Sequence, residues 1–417
     1  MREKSVGIRD HQHPQQGDEL TMTWRRRCFA APTATLAAMI LIWGCAAQRP
    51  TVKGPDSASE PRFVTVTVRG KSCVVKRHGE ERILFKSSSP LQAIEWALNH
   101  SRITVLTGGE FNVAGTLNIP RPNVSLIIAA DATLQPAEKA ELLIVSEGHG
   151  NYRPLIHNKG MDNVAVINLG TLRTPQQRGG ACIMFNGRSG GEIGIDGGLV
   201  FSAGTMAQCG DAIWLVDSKN LQVPFAGDKS YGNNLMAIEG CEDLEIDVVA
   251  GLAGIRSNRL KGNSKGDFGG ENESIDLNSY CRRIHIRRMI GASYSEQILD
   301  VNNSTDITVD EITGYTGGDK FNGHLVDIIN YGPNGRRLTQ RPRIPKSEKI
   351  NIRSKGVARE RISDWKISAD AEGMMKSLPK LRVRVRLIGN PGKEEVTVLD
   401  RTYRFDLKEI PKVPVVE

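Results

Sequence analysis

The stretch from 213 to 246, IWLVDSKNLQVPFAGDKSYGNNLMAIEGCEDLEI, contains one pattern twice. Ile213-Trp214-Leu215 followed by Leu221-Gln222-Val223 returns 23 residues later as Met236-Ala237-Ile238 followed by Leu244-Glu245-Ile246. Further on, Ile275-Asp276-Leu277 and Ile284-His285-Ile286 return as Leu299-Asp300-Val301 and Ile307-Thr308-Val309, after 24 and 23 residues. Val326-Asp327-Ile328 opens another copy, which reaches Ile350-Asn351-Ile352 after a long insert. Self-similarity at a fixed period marks a repeat architecture. Two short strands per period, with no helix between them, describe one rung of a parallel solenoid whose apolar face is buried on its neighbours. The L-x-x-L-x-L signature of leucine-rich repeats, which share the period, is absent.

Equivalent residues on successive parallel strands stand about 4.8 Å apart. The register above therefore stacks Trp214, Ala237, Asp276, Asp300 and Asp327 in one column. Each sits between two apolar residues that point inward, so strand alternation turns the column outward, where it is expected to face solvent. Three stacked aspartates repel one another. A bound cation, a basic neighbour or a carboxyl that keeps its proton relieves the repulsion, and each remedy is common at functional sites. The alternative is an acidic surface relieved by nearby lysines and arginines.

Inserts enter the strands of this column. Arg256, Arg259, Lys261, Lys265 and Asp267 fall in a Gly- and Asn-rich insert, and Glu271-Asn272-Glu273 follows. A second insert, Gly314–Gly323, brings Asp319 and Lys320, with His324 just before Asp327. Glu296 precedes Asp300 much as Glu273 precedes Asp276. Loops on a rigid scaffold collect binding and catalytic residues. Acids from the strands and bases from the loops are thus expected to converge on one groove.

Upstream, Phe63 to Val68 alternates as a strand does and Cys73-Val74-Val75 completes a hairpin. Ser89-Pro90 opens the best helix of the chain, Leu91 to Leu98, with Leu91, Ile94 and Leu98 on one face. Short strands and tight turns follow: Ile103-Thr104-Val105-Leu106, Gly108-Gly109, Phe111-Asn112-Val113, Thr116-Leu117-Asn118-Ile119 and Pro122-Asn123-Val124-Ser125-Leu126. This segment resembles the first coils of the pectin lyase-like superfamily of right-handed parallel β-helices, in which a short helix caps the open end. The resemblance spans about 90–355 and departs at Thr107-Gly108-Gly109-Glu110, where many members have proline. It implies an all-β fold, a right-handed parallel β-helix with a cap helix, and not a particular activity.

Within such a scaffold the column supports three chemistries. A glycoside hydrolase needs one carboxyl to protonate the glycosidic oxygen and another to act as base or nucleophile. Asp276, Asp300 and Asp327 supply them. A polysaccharide lyase neutralises a uronate carboxylate and removes the neighbouring proton. Calcium held by the three aspartates would do the first, and Lys261, Lys265 or His324 the second, with Arg256, Arg259, Lys320, Glu273, Glu296 and Trp214 binding substrate. Lyase chemistry is the leading expectation. The third reading is a glycan-binding or envelope β-helix without catalysis. The site of polygalacturonase-type hydrolases is not carried over, because Gly148-His149-Gly150 precedes the aspartates and no Asp-Asp pair occurs. The pectate lyase proline-arginine motif has no clear counterpart, since Arg341-Pro342-Arg343 reads as a loop.

The termini suggest where the protein works. Arg25-Arg26-Arg27, an apolar run from Phe29 to Trp43 and Gly44-Cys45 form a charged region, a hydrophobic region and a small residue before cysteine. The run is shorter than the roughly 20 residues of a membrane span. It resembles a bacterial lipoprotein signal, which implies a lipidated Cys45 holding the chain on a bilayer in the cell envelope; ordinary cleavage is the alternative. Residues 1–44 are thus a signal with a polar extension, 45–61 a linker, 62–355 the solenoid and 356–417 a charged segment. In the last of these, Leu381–Leu387 and Val396-Thr397-Val398 flank Asn390-Pro391-Gly392 and predict a hairpin that caps the solenoid. The chain has 43 glycines, 5% aromatics and a net charge of +8 spread along its length. Spread positive charge suits an acidic polysaccharide partner; no nucleic-acid motif occurs. Cys73, Cys182, Cys209, Cys241 and Cys281 show no zinc spacing and read as buried core thiols, with one disulfide open. The oligomeric state is left open.

Overall fold

The repeat is realised as parallel sheets. The computed structural model describes residues 63–147, 150–174, 180–187, 194–207, 210–228, 234–253, 274–278, 280–293, 298–316, 326–329, 348–358, 381–388 and 395–403. In chain order the elements are β1 (Phe63–Arg69), β2 (Ser72–Arg77), β3 (Ile83–Ser87), α1 (Pro90–His100), β4 (Ile103–Thr107), β5 (Gly109–Gly115), β6 (Leu117–Asn118), β7 (Ser125–Ile128), β8 (Ala132–Glu141) and β9 (Val145–Glu147). Then follow β10 (Gly150–Lys159), β11 (Val164–Asn168), β12 (Thr171–Arg173), β13 (Gly180–Asn186), β14 (Ile195–Ser202), β15 (Thr205–Ala207), β16 (Asp211–Val216), β17 (Ser218–Asp228) and β18 (Met236–Glu239). The remainder are β19 (Glu242–Ala253), β20 (Ile275–Leu277), β21 (Arg282–Ser293), β22 (Leu299–Asn302), β23 (Thr305–Thr316), β24 (Val326–Ile329), β25 (Glu348–Ala358), β26 (Leu381–Ile388) and β27 (Glu395–Tyr403).

From β4 to β16 the chain visits three sheets in turn, a 12-stranded, a 4-stranded and a 9-stranded one; from β17 to β25 it alternates between the first and the last. Within these sheets each rung pairs in parallel with the next, except at the N-terminal β1–β2–β3 meander and at β9. The expected registers are present: Ile213 lies beside Met236, Val223 beside Ile246, Ile275 beside Leu299, Ile284 beside Ile307 and Ile307 beside Ile350. Inward residues from all three sheets form one core that includes Phe111, Leu134, Phe185, Leu215, Ile238, Leu277 and Val301.

The expected helix forms as α1. Ser89 caps it by accepting the Gln92 N–H, and Pro90 occupies the first turn, where its missing N–H costs nothing. Its buried residues, Ala93, Ile94, Ala97 and Leu98, belong to the same core. The N-terminal hairpin is also as expected, although β3 adds a strand the sequence pattern had not marked. β26 and β27 pair antiparallel as the expected C-terminal hairpin.

A left-handed residue recurs at or just before the start of eight strands of the large sheet, from β7 to β25: Asn123, Asn163, Gly197, Asn220, Asp243, Arg283, Asp306 and Lys349 all have positive φ. Short polar Asn and Asp tolerate that conformation better than other side chains, which explains the asparagines at the edges of apolar runs. Charge alternates by rung on the outer face. β19 carries Glu242, Asp243, Glu245 and Asp247, whereas β21 carries Arg282, Arg283, His285, Arg287 and Arg288, and β23 carries Asp306, Asp310 and Glu311. Arg282 meets Glu242 at 2.7 Å, Arg287 meets Asp247 at 3.2 Å, and the His285 ring lies 3.1 Å from Glu245 and 3.0 Å from Asp310. Each exposed pair is worth little alone. Together they oppose the omission of a strand from the stack, which would set acidic β19 against acidic β23.

Close backbone approach governs the turn after β11 and β14. A Cβ on Gly170 would lie 2.2 Å from the Ala129 carbonyl oxygen, and one on Gly204 would lie 2.2 Å from the Gly170 carbonyl oxygen. Gly204→Ala is therefore expected to cost more than about 2 kcal/mol, by analogy with overpacked cores. Urea unfolding checks this, and a variant as stable as the parent would show that the turn has room.

Candidate functional site

The outer face of the 9-stranded sheet carries a column of eight residues, one per strand from β6 to β24. Register places Asn118, His157, Met184, Trp214, Ala237, Asp276, Asp300 and Asp327 side by side in that order. The flanking Ile275, Leu277, Leu299 and Val301 are in the core, so alternation directs Asp276 and Asp300 away from it. The stacking inferred from the repeat is thus present in the backbone.

The expectation that this column faces solvent is corrected. Asp276 is 5% exposed, Asp300 7% and Trp214 2%. Facing away from a core is a property of the strand, whereas exposure depends on what lies over the face. Trp214 packs with Tyr152, Met184, Val216 and Ala237 in a separate apolar cluster, its ring 3.9 Å from that of Tyr152. It is not an open sugar platform in this conformation. Arg256, Arg259, Lys261, Lys265, Glu273, Glu296, Lys320, His324 and the Asp327 side chain lie outside the described residues.

Asparagines two positions after each aspartate hold the acidic end. Asn278 Nδ2 donates to Asp276 Oδ2 at 2.9 Å. Asn302 Nδ2 donates to Asp300 Oδ2 at 2.9 Å and to Asp276 Oδ1 at 3.3 Å, so one amide bridges both carboxylates. Residues i and i+2 share a strand face, and Asp-Leu-Asn and Asp-Val-Asn were therefore readable as paired ligands in the sequence, though their role was missed. Glu239, fully buried, follows Ala237 at the same offset. Asn302 Oδ1, Ser274 Oγ, Trp214 Nε1 and His157 Nε2 are buried and have no hydrogen-bond partner among the described residues. Each such atom costs about 1–3 kcal/mol if left unsatisfied, and all four lie on this sheet beside or within the column.

At the other end of the column, His157 Nδ1–H donates to Asn118 Oδ1 at 3.2 Å, leaving the Nε2 lone pair unused. Burial, aided by the charge of Lys159, pushes its pKa down to about 4. Cys73, Cys182, Cys241 and Cys281 are buried, and no disulfide joins them to one another. Burial raises the Cys241 thiol well above its usual range and Cys281 to about 12, which makes both poor nucleophiles. Cys209, Cys28 and Cys45 lie outside the described residues. Among the described residues no group of three His, Cys, Asp or Glu side chains is placed to hold a metal ion, and no helix is long and apolar enough to cross a membrane. No family model, curated protein or solved structure matches this chain.

His157 gives a pH prediction. Its folded pKa lies below the unfolded value near 6.5, so its contribution is complete above about pH 6.5 and is lost as pH falls toward 4, by about 3 kcal/mol in all. Urea titrations of the parent and His157→Gln from pH 7 to 4 check this. Equal pH slopes in the two proteins would rule His157 out as the source.

Proposed function

We propose that the three parallel sheets are the faces of a right-handed parallel β-helix, and that the protein is a carbohydrate-active enzyme acting on an acidic polysaccharide. The observation that carries the catalytic reading is the pair of nearly buried carboxylates, Asp276 and Asp300, on adjoining strands and bridged by one Asn302 amide. Adjacent strands set such carboxyls close together, and a spacing near 5 Å is that of retaining glycosidases. In this mechanism one carboxyl attacks the anomeric carbon and the other protonates the leaving oxygen, then deprotonates the water that releases the sugar. Asn278 and Asn302 hold the carboxyl planes.

β-Elimination at uronic acid residues is the second reading. Its support is connectivity: the insert with Arg256, Arg259, Lys261 and Lys265 runs directly into the strand that bears Asp276, and Lys320 and His324 lead into that of Asp327. Calcium on the aspartate column belongs to this reading. We further propose export and tethering to the bacterial envelope through a lipidated Cys45, supported by the Arg25–Cys45 signal pattern.

A panel of uronate and sulfated polysaccharides separates the chemistries. Hydrolysis releases reducing ends without an unsaturated product. Elimination raises ultraviolet absorbance, and chelator stops it if calcium takes part. In either case Asp276→Asn and Asp300→Asn are expected to lower turnover by about 10²–10⁴-fold with an unchanged circular dichroism spectrum. Full activity in both variants would remove the column from catalysis.

A further inference from the structure

A second concave site is lined by β8 and β12 of the 4-stranded sheet and by Arg153 of β10 in the 9-stranded sheet, and it shares no lining residue with the aspartate column. It is a cavity of about 560 Å³, with Gln135, Arg153, Arg173, Glu138, Glu141 and Ile144 in its wall. That volume is within the range of small-molecule sites. Leu134 and Leu172 point into the core, so Gln135 and Arg173 point out beside one another on β8 and β12.

The wall is held in place. Gln135 Nε2 donates to Asn112 Oδ1 at 2.8 Å, and Arg173 Nη1 donates to Gln135 Oε1 at 3.0 Å, a relay across three neighbouring strands that fixes one edge of the guanidinium. Opposite, the Leu143 N–H donates to Thr116 Oγ1 at 2.8 Å, and Thr116 Oγ1 donates to the Pro154 carbonyl at 2.7 Å, next to Arg153. This pins the segment that presents Leu143 and Ile144 to solvent at 45% and 52% exposure. Neither guanidinium has a carboxylate partner among the described residues, although Glu138 and Glu141 line the same cavity.

We propose that this cavity binds a uronic acid unit of an oligosaccharide, as an anchoring site separate from the catalytic column. The lining selects that chemistry. Guanidinium forks match a carboxylate in geometry and charge. The Glu138 and Glu141 carboxylates and Gln135 accept hydrogen bonds from hydroxyls, whereas they would repel a densely charged polyanion. The apolar Leu142 and Ile144 in the wall meet the C–H face of a sugar ring. The proposal rests on the acidic-polysaccharide reading for its ligand and not on the mechanism of the column.

Calorimetric titration of the full chain with trigalacturonate tests it, with the carboxyl-reduced trisaccharide and inorganic phosphate as comparison ligands. Binding of trigalacturonate is expected to weaken about tenfold in Arg153→Ala and in Arg173→Ala, by the loss of one charge-assisted contact each. It is expected to survive in Asp276→Asn/Asp300→Asn, and the reduced trisaccharide and phosphate should bind at least tenfold more weakly. Thermal midpoints within a few degrees of the parent show that the variants fold, and Arg173→Lys, which keeps charge but not the fork, should be intermediate. Unchanged affinity in both arginine variants overturns the site while leaving the column reading in place. Loss of binding only in the aspartate variants assigns the ligand to the column instead. A parent protein that binds none of the acidic glycans overturns both.

Discussion

Parallel stacking of one rung on the next is the constraint from which the rest of this structure follows. At a strand spacing of about 4.8 Å, whatever occurs at one position of a rung is set against its counterparts above and below. Apolar residues at inward positions become a continuous core, exemplified by Leu215, Ile238, Leu277 and Val301 on four successive strands of one sheet. A turn that needs a left-handed residue needs it on every rung, and the series from Asn123 to Lys349 shows the chain meeting that demand. Arg283 and Lys349 occupy the same conformation despite their longer side chains, and each lies against an acid of the preceding rung, Asp243 and Asp306.

The same stacking makes errors of register costly. A slip by one residue would turn every inward side chain outward, and a slip by a rung would juxtapose acidic with acidic strands. The sequence of signs from β19 through β21 to β23 works against the second. Arg283 also holds the Asp243 carboxyl below its ordinary pKa, so that pair persists into mild acid. These contacts are exposed and individually weak; their value lies in discriminating between stackings that the apolar core would accept almost equally.

Stacking also concentrates polar chemistry. Two aspartates alone at equivalent positions would be unfavourable in a nearly buried column. The Asn278 and Asn302 amides answer that, and they can do so because an asparagine two residues on shares the strand face. The aspartate end of the column and its aromatic end, with Tyr152 and Trp214, are thus products of one alternation read at different rungs. A polar ladder arises by the same means on the 4-stranded sheet, where Asn112, Gln135 and Arg173 are linked by hydrogen bonds.

The amino-acid sequence by itself determined the period, the parallel stacking, the helix after Ser89 and the alignment of Asp276, Asp300 and Asp327, because strand alternation and a repeat of 23–24 residues are properties of the chain alone. It also contained the Asp-x-Asn pairs and the alternating rung charges, legible once the rungs are superposed. Only the tertiary structure decided that Asp276, Asp300 and Trp214 are buried, that Asn302 bridges two carboxylates, and that Arg153 and Arg173 share a cavity. The reason is that exposure and convergence depend on segments far apart in sequence. Periodicity states which way a side chain points, and only the packed fold states what it meets there.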